Sequence, residues 1–135
     1  MVHIDVVYDG KTHCSLTHES GAAVGTVAPK DIGGAGDLFS PTDMVAGALG
    51  ACILTTIAMW AERQGIDLGG AKAHVTKEMT TEPPRRLARV VTTITIPREA
   101  LAADLRERAE AIARACPVHK SLHPDIEAPV EFVYA

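Results

Sequence analysis

Ser40-Pro41-Thr42-Asp43-Met44-Val45-Ala46-Gly47-Ala48-Leu49-Gly50-Ala51-Cys52 is the stretch from which the rest of the chain is read. It opens as a helix start. Ser40 is a capping residue, Pro41 suits the first helical position, and Asp43 falls three residues after the cap. Residues 44–61 carry no charge. The helix is expected to run to about Gln64 and to stop at Gly65, since glycine readily takes the left-handed conformation that ends helices. It is apolar all round for most of its length, so burial on most sides is expected. Ala46, Gly47, Ala48, Gly50 and Ala51 have almost no bulk, and another backbone can approach closely there. A membrane span needs about 20 apolar residues. This run sits at the short limit and is diluted by Gly47, Gly50, Thr55 and Thr56, so it reads as a buried central helix.

On the N-terminal side, residues 2–8 read as a strand, Asp9-Gly10 as a two-residue hairpin signal, and residues 12–18 as the returning strand. Residues 24–28 form a third short strand. Residues 29–37 contain Gly33, Gly34 and Gly36 but lack the spacing and the Lys-Ser/Thr ending of a phosphate loop, so they read as a flexible loop. On the C-terminal side, residues 71–79 and 89–96 read as strands, the second rich in β-branched side chains. Pro83-Pro84 sets a turn over residues 81–86. Residues 98–115 read as a helix with an apolar stripe at Leu101, Leu105, Ala109, Ile112 and Ala113. Cys116-Pro117 breaks it, a helical turn follows over residues 118–122, and Val130–Tyr134 is a last strand. The order predicts an α+β fold, an antiparallel sheet segregated from its helices.

The 135 residues are expected to form one domain, 1–135, with a core that needs no disulfide or metal staples. A net charge of -4 with no basic run argues against a nucleic-acid partner. The chain begins directly in a strand-like pattern, with no secretory signal, and three cysteines do not make a secreted disulfide framework. A cytoplasmic protein with reduced thiols is the expectation, with no membrane partner.

Those thiols carry the chemistry. Cys52 lies well inside its helix, where burial alone silences a thiol, and packing is the local reading. Thr55 and Thr56 share its neighbourhood at i+3 and i+4. Cys116 falls at or near the N-cap of the turn opened by Pro117, where peptide N–H groups and the helix dipole favour a thiolate. His119 and Lys120 add charge nearby. Cys116, His119 and His123 also have the spacing of a zinc set, but the paired Cys-x2-Cys half is missing and no metal is expected. Cys14, near His13 and His18, reads as structural.

The stretch from Ser40 to Cys52, then a long helix, two strands, a helix and Cys116-Pro-Val-His, resembles the OsmC/Ohr family: osmotically inducible protein C and organic hydroperoxide resistance protein. The resemblance spans nearly the whole chain, and its two cysteine motifs in this order are specific. It implies an OsmC-like fold and an intertwined homodimer with sites at the subunit interface. It further implies a cysteine-based peroxidase that reduces organic hydroperoxides without a cofactor. Cys52 takes the place of the peroxidatic thiol and Cys116 that of the resolving one. The implied reductant is a dithiol of lipoyl or thioredoxin type. The family's peroxidases pair an N-terminal arginine with a glutamate just after the proline of the helix start. Here Thr42 holds the glutamate's place with Asp43 beside it, and Lys11 and Lys30 are the only cations before Arg63. Thr42, Asp43 and His119 are therefore candidate supporting residues. The alternative is a non-catalytic small-molecule binding or redox-sensing protein, which the missing arginine favours.

Overall fold

The structure, a computed structural model, describes residues 1–135. The chain divides into two compact units, residues 1–45 and 46–135. In the first, β1 (Ile4–Gly10), β2 (His13–His18) and β3 (Ala23–Thr26) form an antiparallel sheet in chain order. The hairpin reverses at Lys11 and Thr12, whose φ angles of 52° and 63° are both positive, as a type I′ turn requires. The turn falls two residues later than Asp9-Gly10 because the register shifts between Tyr8 and Gly10, leaving Asp9 as the extra residue of a bulge.

Helix α1 (Pro41–Arg63) starts as its sequence dictates. The Ser40 N–H donates to Asp43 Oδ2 (2.8 Å) and the Asp43 N–H donates to Ser40 Oγ (3.1 Å), a reciprocal capping box. At the other end Gly65, with φ at 71°, lets the N–H groups of Gly65 and Ile66 return to the carbonyls of Glu62 (3.0 Å) and Ala61 (2.9 Å). Between these stops the helix buries a single stripe: Ala46, Leu49, Gly50, Ile53, Ile57 and Ala61. Gly47, Ala48, Ala51, Thr55 and Met59 are exposed, so burial is one-sided and not all-round. Its length and composition are enough to cross a membrane. Its buried stripe nevertheless joins Val90, Ile94 and Ile96 in one apolar cluster, which makes it the core helix of the second unit.

That unit holds the second sheet, β4 (Lys72–Met79), β5 (Leu87–Ile96) and β6 (Val130–Tyr134), in that order. β4 and β5 are antiparallel, as expected, but β6 joins β5 in parallel, Thr92 facing Val130 and Ile96 facing Tyr134. The chain leaves β5, passes through α2 (Arg106–Ala113) and α3 (Pro117–Ser121), and returns in the same direction, the crossover that parallel neighbours need. The helix expected over residues 98–115 is shorter because Ala102 is extended (φ -59°, ψ 145°), with a 3-10 turn before α2. That detour sends Leu101 into the core, fully buried. The sheet meets α1 at Gly50, where a Cβ would lie 2.7 Å from Val75 Cγ2 and 3.5 Å from Ala73 Cβ. α2 is fastened to β6: Tyr134 Oη donates to Glu110 Oε1 (2.9 Å), and the Arg106 guanidinium lies 4.2 Å over the Tyr134 ring. The fastening holds α2 against β6, and the turn begun by Cys116 follows it in the chain.

Candidate functional site

Cys52 lies on α1 just past the close approach at Gly50 and is half-buried. Its carbonyl accepts a bond from the Thr56 hydroxyl (2.7 Å), which turns that hydroxyl back onto its own helix. Cys116 is the N-cap of α3, extended at φ -63° and ψ 143°, and it is fully buried. Its Sγ accepts the His119 N–H at 3.3 Å. Both cysteines are free, and their side chains are hydrogen-bond neighbours. The topology thus brings a thiol from the core helix beside a thiol from the β5–β6 crossover.

The cap donors at Cys116 are where the sequence places them, but they do not win. Burial pushes the thiol above its ordinary value of 9.0. The His119 N–H pulls it down, the hydrogen bond and charge of Cys52 push it further up, and the Val118 N–H opposes them weakly. The net direction is upward. This corrects the thiolate expected at the N-cap: removing an anion from water costs more than two peptide donors return. Cys116 keeps its proton at neutral pH and is a donor toward Cys52.

The supporting candidates have local partners of their own. The His119 imidazole does not turn to the thiol: its Nε2 donates to the Ala128 carbonyl (3.0 Å), so only its backbone N–H serves Cys116. Asp43 and Thr42 belong to the helix cap, Thr42 Oγ1 lying 3.2 Å from Ser40 Oγ. The zinc spacing does not close into a site. His123 Nδ1 accepts the Asp125 N–H (3.1 Å) while His119 faces Ala128, and no three such ligands converge. Cys14 sits on β2 opposite Tyr8 and Thr26, half-buried. Two features escaped the sequence reading. Lys77 alternates with Ala73, Val75 and Met79 on the half-buried side of β4, a position that strand alternation marks once the strand is accepted. Thr92, fully buried on β5, has a hydroxyl with no partner.

Residues 34–131 match the family profile described as OsmC-like protein. No curated protein sequence matches the chain. Among solved structures, one from Psychrobacter arcticus 273-4, described as an osmotic stress induced and detoxification response protein, is 39% identical. The match covers 98% of this chain and 96% of that one, with a TM-score of 0.92. The organic hydroperoxide resistance protein OsmC of Legionella pneumophila is 18% identical over 98% of this chain and 96% of its own, with a TM-score of 0.76. An organic hydroperoxide resistance protein of Elizabethkingia anophelis is 16% identical over 100% and 96%, with a TM-score of 0.78. At these identities the last two speak for the fold alone.

Proposed function

The chain belongs to the OsmC-like protein family, and from that premise we propose that it is a thiol-dependent peroxidase that reduces organic hydroperoxides through Cys52 and Cys116. The observation that carries the reading is the contact between two free thiols of unlike exposure, Cys52 half-buried and Cys116 fully buried. Cys52, the one a substrate reaches, loses its proton and attacks the outer oxygen of the peroxide. The O–O bond breaks, the alcohol leaves with a proton, and the sulfur becomes a sulfenic acid. Cys116 then attacks that sulfur, its proton and the sulfenic hydroxyl leave as water, and a disulfide forms. A dithiol, of lipoyl or thioredoxin type, restores both thiols and is itself oxidised to a disulfide. The apolar surroundings of α1 suit an organic peroxide better than hydrogen peroxide. We place the protein in the cytoplasm, where thiols are kept reduced, as a homodimer.

Peroxide consumption with cumene hydroperoxide and a dithiol tests this. Turnover is expected in the wild type and none in Cys52→Ser; in Cys116→Ser, with the dithiol left out, one equivalent of peroxide is consumed and Cys52 is left as sulfenic acid. A wild type with intact thiols and no turnover sinks the enzyme reading. It would favour the second reading, a redox-sensing or binding protein, for which the motivating observation is the lack of an arginine before Arg63.

A further inference from the structure

A cavity of about 500 Å³ lies beside the C-terminal half of α1, and neither Cys52 nor Cys116 lines it. Leu54 and Ala58 form one wall, Ile66 and Leu68 of the following loop another, and Ile94 and Ile96 of β5 the floor. Ile94 and Ile96 are fully buried beneath it, so the apolar surface open to a ligand is that of the half-buried Leu54, Ala58, Ile66, Leu68 and Ala71. The volume falls within the roughly 300–1,000 Å³ of small-molecule sites. Its ionisable lining is of one sign: Glu62 and Asp67, with no lysine, arginine or histidine. Asp67 Oδ1 accepts the Gly69 N–H (2.8 Å), which fixes this carboxylate in place.

We propose that the cavity is a binding site for a small amphiphilic cation, an alkyl ammonium whose hydrocarbon lies between Leu54, Ala58, Ile66 and Leu68 and whose charged end meets Glu62 and Asp67. A fatty acid of the same length would bring a third negative charge to the two carboxylates, and a neutral alcohol would gain burial without the ionic attraction. The site is independent of the thiol chemistry proposed above.

Octylamine, octanol and octanoate share a chain and differ in their heads, so titration calorimetry of the purified full chain at neutral pH separates the contributions. Octylamine is expected to bind about tenfold more tightly than octanol and octanoate more weakly than either, with the amine's advantage shrinking as salt rises. Glu62→Gln, at an exposed position, should bring octylamine to within about threefold of octanol. Ala58→Phe should fill the cavity and abolish binding of all three. Octylamine binding should survive Cys52→Ser unchanged, which separates this site from the peroxide site. The proposal is overturned if octanoate binds as tightly as octylamine, if no probe binds, if both cavity variants bind like wild type, or if Cys52→Ser removes binding.

Discussion

At Cys116 two opposing influences meet, peptide donors that favour the thiolate and burial that favours the thiol, and burial prevails. A group whose pKa is raised by folding adds stability that is fully present below its unfolded value. That stability is lost as pH rises through the folded value. For Cys116 the loss begins at the ordinary thiol value of 9.0. Tyr134 acts in the same sense: burial first, then its bond to Glu110, push the phenol from 10.0 up to about 12. Urea midpoints measured against pH should be flat through neutrality and fall in the alkaline range. Cys116→Ser should flatten the early part of the fall and Tyr134→Phe the later part. Midpoints that rise with pH there would contradict both assignments. The donors at Cys116 were legible in Cys116-Pro117 because capping is a local matter. The depth of its burial was not, because α1 and the returning β6 create it from distant parts of the chain.

At the scale of the element, glycine has two meanings on one helix. At Gly50 a methyl would lie 2.7 Å from Val75 Cγ2, whereas at Gly47 it would meet nothing within 4 Å. Gly→Ala in a helix adds about 0.5–1 kcal/mol of stability where space allows, while forced overpacking costs about 1–3 kcal/mol. Chemical denaturation should therefore show Gly47→Ala stabilising and Gly50→Ala destabilising. A destabilised Gly47→Ala would place a partner's backbone against that turn. On β5, the unpartnered Thr92 hydroxyl is a cost with no offset, so Thr92→Val should stabilise by about 1 kcal/mol in the same assay. A loss would mean that a buried water answers the hydroxyl. Element ends were readable where the signal is local: Ser40-Pro41 and Gly65 bound α1 as expected, and Val130–Tyr134 is the strand its composition predicts. The start of α2 was not, because the burial of Leu101 outweighs the helical pattern of its neighbours. Nor was the direction of β6, which the crossover sets and no residue within the strand records.

The whole molecule exposes more apolar surface than a solitary soluble chain usually keeps. On β1, Ile4, Val6, Val7 and Tyr8 are 57%, 60%, 58% and 67% exposed, and on α1 Val45 and Met59 are 39% and 51% exposed. A second copy covering these surfaces is the expected remedy, and light scattering at micromolar concentration should return twice the chain mass of 14.3 kDa. A monomer at that concentration would refute the homodimer. The α+β class was legible in the order of the elements. The exposed half of α1 was not, since a helix apolar on every side looks the same in sequence whether its own chain or another covers it. The order of α1 and its sheet has a further consequence during translation. α1 is synthesised before any residue of β4, β5 or β6, the strands whose side chains share its core. At about 5–20 residues per second, the ribosome holds out for several seconds a helix with no sheet to lie on. That helix is apolar enough for a membrane, so this interval is when a holding chaperone has something to hold.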